Sequence, residues 1–218
     1  MAIIDLSHTV RNGLVTYRGL PAPVICDYWN REESAENYDD GSSFQISRID
    51  MVANTGTYID APFHRYATGP DIAGLPMNSI ANIPGVVMHI PMSVQMIGPE
   101  LFPDIEVAER AVLVHTGWDR YWGNEQYFEG HPYLTEQAAI FLRDRGAKLV
   151  GIDSYNIDNS ATRKRPVHST LLGANIPIVE HMTNLQMLPA TDFLFTAAPA
   201  KIEGMGSFPV RAFAVTQN

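Results

Sequence analysis

The chain has 218 residues, 45% of them hydrophobic, and sets 24 Asp and Glu against 15 Lys and Arg for a formal net charge of -9. That length suits a single domain over residues 1–218 with a real core, and the acidic balance argues against nucleic acid or an anionic membrane as partner. One cysteine, Cys26, excludes an internal disulfide and a multi-thiolate zinc site.

The opening "MAIIDLSHTV" has no basic segment leading into a long apolar one, and no apolar run approaches a membrane span, so a soluble, cytoplasmic protein is expected. "AIIDLS" reads as a first strand, followed by a long irregular stretch from Asn12 to Gly41 rich in Gly, Pro and aromatics. "SFQISRIDMVANTGTYID" alternates in a broken way, as extended chain with a bulge or turn does. "GVVMHIPM" and "AVLVHTGW" are further strands. A helix runs from an N-cap at Thr135 to Arg145, with Ala138, Phe141 and Leu142 on one face and Gly146 as its stop. "AKLVGID" is a continuous apolar strand expected to be buried on both sides, and "IPIVE", "DFLFTAA" and "VRAFAVT" complete a strand-rich second half. The class is mixed α/β, a sheet core with few helices rather than regular βαβ alternation.

Titratable residues gather around "NTGTYIDAPFH", Asn54 to His64. Pro62 forbids a regular helix between Asp60 and His64, so their spacing does not place them on one helical face; an Asp–His hydrogen bond in a turn is the plain reading. Gly56 suits either a tight turn or a close approach to a ligand. Further on, His168 and Glu180 flank the apolar segment of "PVHSTLLGANIPIVEHM" and form a partial ligand set for a divalent metal. With Asp60 and His64 they make two carboxylates and two imidazoles, the ingredients for holding an ion and moving a proton. Neighbours in an extended segment point to opposite faces, so Glu180 and His181 do not share a site. "RKRP", Arg163 to Pro166, reads as a solvated basic loop. His8, His89, His115 and His131 stand singly and read as structural. Tyr17, Tyr28 and Trp29 either line a pocket or plug the core.

"NTGTYIDAPFH" resembles the HxGTHxDxPxH signature of the metal-dependent cyclase family, which includes bacterial kynurenine formamidases and isatin hydrolases. "DLSHTV", "TYRGLPAP", "VHTGWDRYW", "KLVGIDSYNID", "HSTLLGANIPIVE" and "FPVRAFAV" resemble further blocks of that family in the same order. The resemblance implies a swivelling β/β/α domain assembled as a homodimer or homotetramer. It implies that Asp60 bridges two metal ions, His64 shuttles the proton, His168 is a ligand of the second metal, Glu180 touches the metal centre, and Tyr17 contacts substrate.

The chain departs from the signature at Asn54 and Tyr58, which replace the two histidines of the first metal. A neutral phenol, with a pKa near ~10, and an amide are poor zinc ligands. The expectation is therefore one divalent ion, zinc or manganese with magnesium as a further option, held by Asp60, His168 and Glu180. The activity implied is metal-dependent hydrolysis of a small amide, an N-formyl amide as in arylformamidases, a cyclic imide or a lactone. His64 would act as acid and base, and Asn54 and Tyr58 as catalytic hydrogen-bond donors. The alternatives are a metal-free amide hydrolase using His64 and Tyr58, or an inactive relative that binds a small ligand or a partner in the old pocket.

Overall fold

Short β-branched runs dictate the centre of the molecule. The computed structural model describes residues 1–216. Its strands in chain order are Ala2–Asp5 (β1), Val24–Trp29 (β2), Ile46–Asp50 (β3), Tyr58–Asp60 (β4), Ile83–His89 (β5), Met96–Ile97 (β6), Ala111–His115 (β7), Tyr133–Leu134 (β8), Leu149–Ile152 (β9), Ile178–Glu180 (β10), Phe193–Thr196 (β11), Ser207–Pro209 (β12) and Phe213–Thr216 (β13). Three α-helices occur among the described residues: Arg31–Ala35 (α1), Glu136–Asp144 (α2) and Pro166–Gly173 (α3).

Nine strands form one mixed sheet in the order β1-β13-β11-β5-β7-β9-β10-β4-β12. β5, β7, β9 and β10 run parallel at its centre, and the outer pairings are antiparallel. The central strands are buried on both faces, as their continuous apolar sequence requires. Alternation splits their side chains between two cores. Val112, Val114, Val150 and Ile152 pack with Leu142 of α2 and Leu171 of α3. Leu113 and Leu149 face the other way, toward Ile59, Val179 and Phe195. A sheet with few helices matches the fold class expected from the sequence.

Helix α2 starts where its cap predicts, with the Thr135 hydroxyl accepting from the Ala138 N–H and Gly146 at φ 77 after its end. Its fully buried face is Ala138, Ala139 and Leu142. Phe141 sits at the margin of that core against Phe102 and the Arg145 guanidinium.

The stretch Asn12 to Gly41 is not irregular throughout. β2 pairs with β3 in a separate two-stranded sheet, and α1 follows β2 under a capping box formed by Asn30 and Glu33. This arm leaves Val24, Tyr28, Trp29, Ile46 and Ile49 exposed, so Tyr28 and Trp29 neither plug the core nor line the main cleft.

Candidate active site

Strand register assembles the site. β10 and β12 flank β4, so Glu180 lies opposite Tyr58 and Ser207 opposite Asp60. Tyr58 and Asp60, two residues apart on one strand, point to the same face. Beyond Asp60 the chain turns through Pro62–His64 in one turn of 3-10 helix, and Pro62 supplies the fixed φ that starts it. This folds His64 back over Asp60, with Nδ1 3.6 Å from Asp60 Oδ1. Gly206 makes that possible, because a Cβ there would stand 2.6 Å from His64 Cα. Gly56, at φ 69, takes the left-handed backbone that the turn before β4 needs.

His168 arrives from the first turn of α3. Its helix start is capped by Asp158, whose carboxylate accepts from the Val167 and His168 N–H groups. The same carboxylate lies 2.6 Å from His168 Nδ1. That bond fixes the ring and turns Nε2 toward the cleft, 3.6 Å from Asp60 Oδ2 and 3.8 Å from Glu180 Oε1. Asp60, His64, His168 and Glu180, the four residues read from the sequence as metal and proton chemistry, therefore converge. With Tyr17, Asn54 and Tyr58 they line an open cleft, together with Leu20, Arg65, Asn156 and Arg165.

The electrostatics follow from burial and partners. Burial pushes Asp60 up, but the His168 and His64 imidazoles and the Ser207 hydroxyl outweigh it and hold the carboxyl below its usual range. Burial pulls His168 down, yet Asp158, Asp60 and the charge of Glu180 raise it to about 10. Burial raises Glu180 to about 7, opposed by His168, the Tyr58 hydroxyl and the Ile157 N–H. Tyr58 lies well above an ordinary phenol, through burial and then the nearby Glu180 and Asp60 charges.

The donor chemistry of this cluster fits a divalent ion. Asp60 Oδ2 is buried without a hydrogen-bond donor, and it faces an imidazole nitrogen whose ring is oriented from behind by a carboxylate. One nitrogen and carboxylate oxygens around one point form a sound donor set for a transition-metal ion. Ligand atoms of Asp60, His64 and His168 also lie within 4.8 Å of one another. That set contains the partly exposed His64 and leaves out Glu180, which the sequence reading had placed with Asp60 and His168. Asn54 and Tyr58 add hydrogen-bond donors beside these groups. The Tyr58 hydroxyl donates to Glu180, and the Asn54 amide is oriented toward Asp60 Oδ1 at 3.4 Å. Tyr58 is thus committed to Glu180 and is not a free donor into the cleft.

Sequence reasoning missed three contributors. Ser207 donates to Asp60 and sits 2.9 Å from His64 Nδ1. It comes from β12, distant in sequence from Asp60 and His64, and no titratable neighbour in "GMGSFPV" marks it. Asp158, in the polar loop after "LVGID", had a visible signal, since an acid shortly before Pro166 can cap the helix that Pro166 begins. Arg165 belongs to the supposedly solvated "RKRP" loop, yet it is half-buried and lines the cleft, while Arg163 and Lys164 are exposed.

The other histidines divide. His131 is satisfied structurally by the Pro132 carbonyl and the Ser160 hydroxyl. His89 and His115, read as single, meet with their Nδ1 atoms 2.9 Å apart. His8 stacks on Trp122 at 4.0 Å beside an aromatic cage around His181. That cage lies behind the cleft. His181, at φ 56, is ringed by Tyr17, Tyr58, Trp122, Tyr127 and Tyr155, and burial lowers it to about 3.

Comparison with known proteins gives a concordant picture. A family model described as "Putative cyclase" matches residues 4–159. The kynurenine formamidase of Geobacillus thermodenitrificans is 30% identical, over 96% of this chain and 95% of its own. A solved structure described as a potential metal-dependent hydrolase with cyclase activity is 25% identical, with TM-score 0.81, covering 100% of this chain and 98% of its own. Isatin hydrolase A from Ralstonia solanacearum, 22% identical over 99% of this chain and 92% of its own, shares the fold with TM-score 0.83.

Proposed function

Because the chain belongs to the cyclase family, we propose that it is a metal-dependent hydrolase of small non-peptide substrates, cleaving the carbon–nitrogen bond of aryl formamides first, that of cyclic imides next, and the acyl carbon–oxygen bond of lactones last. The observation that carries this reading is the buried Asp60 Oδ2 facing His168 Nε2 across 3.6 Å at the base of an open cleft, with His64 at its edge.

Asp60, His168 and Glu180 would hold one divalent ion, with zinc or manganese ahead of magnesium for a site containing an imidazole. Such an ion lowers the pKa of a water and polarises the substrate carbonyl. The rest falls to the chain. The Ser207 hydroxyl donates to Asp60, so it accepts from His64, which places the imidazole proton on Nδ1 and leaves the Nε2 lone pair for general base work. His64 takes the proton as the water oxygen adds to the carbonyl carbon. It returns that proton to the nitrogen as the C–N bond breaks, yielding an amine and a carboxylic acid, which loses its remaining proton to solvent. Tyr17 and Leu20 supply an apolar wall for an aryl group. Asn54 offers its amide to the developing oxyanion, and Tyr58 acts through Glu180, holding that carboxylate in place.

The reading takes residues 1–218 as one domain, in the cytoplasm, working as a homodimer or homotetramer. The exposed apolar side chains of the β2–β3 arm favour such an assembly, because a two-stranded sheet is at best marginal alone. Among the described residues, no helix is long and apolar enough to cross a membrane. Sedimentation at micromolar concentration tests the assembly, and a monomer there would reject it.

One observation favours the second reading, a binding protein without turnover: the Tyr58 hydroxyl satisfies Glu180 without any ion. Metal analysis of protein purified without chelators separates the two. It should be followed by assays of formanilide, isatin, succinimide and a simple lactone with metal-depleted and reloaded protein. About one ion per chain and metal-restored hydrolysis is the expected result. A chain that binds no ion and cleaves none of the four is not the enzyme proposed.

A further inference from the structure

The basic segment "RKRP" divides on folding: Arg163 and Lys164 point into solvent, while Arg165 turns into the wall of the cleft, where Arg65 joins it. We propose that these two guanidiniums select substrates carrying a carboxylate a few bonds from the scissile amide, so that the enzyme acts on small anionic amides. The proposal rests on the hydrolase reading for what happens to the bound anion, but the recognition itself can be measured without turnover.

Both side chains are anchored and both keep donors to spare. Arg165 Nη1 donates to the carbonyl oxygens of Asn159, Thr162 and Lys164 at 3.3, 2.6 and 2.8 Å. Its Nε and Nη2 have no protein acceptor among the described residues. Arg65 Nε donates to the Ser169 hydroxyl at 3.1 Å, which itself donates to the Arg165 carbonyl at 2.8 Å. The Arg65 terminal nitrogens are likewise without an acceptor among the described residues. One serine on α3 thus ties the two arginines to the same rim. A planar fork with fixed direction meets a carboxylate through two parallel bonds, at less entropic cost than a mobile side chain.

The acids that could neutralise them are engaged elsewhere. Neither arginine has a carboxylate within 4.0 Å among the described residues, although Arg18, Arg143, Lys148 and Arg211 each do. The cleft's own carboxylates are taken: Asp60 faces His168 and Ser207, and Glu180 faces His168, Tyr58 and the Ile157 N–H. The first amides of α3 do not supply the anion site either, because Asp158 occupies them. On a chain of net charge -9, which repels anions at long range, an anionic substrate needs local cations, and this rim supplies them.

The test uses metal-loaded wild type, Arg65→Met, Arg165→Gln and, as a control from the same loop outside the cleft, Arg163→Gln. Calorimetry with benzoate and benzamide reads recognition, and hydrolysis of 2-formamidobenzoate and formanilide reads turnover. The wild type is expected to prefer each anion by about 10-fold or more, as bidentate charge-assisted bonds allow. Arg65→Met and Arg165→Gln should each remove about 10-fold for the anions, leave the neutral partners within twofold, and blunt the salt dependence of benzoate binding. Arg163→Gln should behave as wild type. Equal affinity for benzoate and benzamide in the wild type overturns the proposal. So does an equal loss for both ligands in the two cleft variants, or the same loss in Arg163→Gln. If Arg165→Gln unfolds, Arg65→Met decides alone, because a single hydrogen bond from Arg65 is all that it removes. A protein that cleaves neither formamide yet binds benzoate through these arginines keeps the proposal and rejects the hydrolase reading.

Discussion

Glu180 and His181 are consecutive residues at the end of one strand, and they lead into two opposite environments. On the Glu180 side, Asp60, His168, Asp158, Tyr58 and Ser207 form a network in which a raised imidazole lies between carboxylates. On the His181 side are rings: Tyr17, Tyr127, Tyr155, Trp122 and the stacked His8. Both sides are buried, yet His168 is held at about 10 and His181 at about 3. Burial alone lowers an imidazole; what separates the two is the presence of counter-charges within reach. The charged side can exchange a proton for an ion, whereas the caged side is closed to charge of either kind.

The largest test of that division is Asp60→Ala. It removes the carboxylate shared by His64, His168 and Ser207, and should abolish ion binding and lower turnover about 1000-fold or more. Metal content by mass spectrometry and the initial rate on the best formamide check it. An ion still bound at full stoichiometry would move the metal centre elsewhere. Next comes His64→Asn, expected to keep the ion and lose about 100-fold in turnover, as removal of a general acid and base does. Loss of the ion in that variant would make His64 a ligand, within the set that its distance to Asp60 and His168 permits.

The charged half of this picture was legible in the sequence, and the caged half was not. Asp60, His64, His168 and Glu180 lie in short blocks with a recognisable pattern, and strand alternation alone separated Glu180 from His181. Asn54 and Tyr58 showed as departures from that pattern, but the sequence could not tell that Tyr58 donates to Glu180, since this depends on the register of β10 on β4. The cage draws its rings from segments far apart in the chain, and no periodicity links His8 to Trp122 or His181. Part of the β2–β3 arm was lost to its composition. Gly, Pro and aromatics masked the exposed strand β2 and the short helix α1, although Asn30 and Glu33 did carry a readable capping box, whereas β3 was legible as extended chain. Helix α2 and the central strands were legible because cap, period and burial agree there.

Acid should attack the caged half first. Burial, only partly opposed by Asp119, lowers His8 to about 4, against a value near 6.5 in the unfolded chain. Between those values the unfolded state binds the proton and the folded state does not, so the stabilisation is complete above pH 6.5 and is lost as pH falls toward 4. The loss should be roughly 1–3 kcal/mol, allowing for the partial exposure of His8. Urea midpoints at pH 7 and pH 4.5 measure it, and His8→Gln should shrink the difference. An unchanged difference would place the acid sensitivity in His181, lowered still further by burial, or in the carboxylate network instead.

The finest comparison is between two buried tyrosines, Tyr58 at 2% exposure and Tyr127 at 1%. Each loses one oxygen on mutation to Phe, and the rings keep their packing in both cases. The Tyr58 hydroxyl donates to Glu180, so Tyr58→Phe strips a donor from a buried carboxylate and should cost about 1.5–3 kcal/mol. The Tyr127 hydroxyl has no partner among the described residues, so Tyr127→Phe should be neutral or stabilising by up to about 1 kcal/mol. Glu180 would also rise further without the phenol, because a bond to its charged form is gone. Weaker ion binding should therefore accompany the Tyr58 variant and not the Tyr127 variant. Denaturant midpoints and metal titrations on the pair decide the point. Equal costs for the two would mean that Tyr127 has a partner as good as Glu180, and that the caged side carries a polar network of its own.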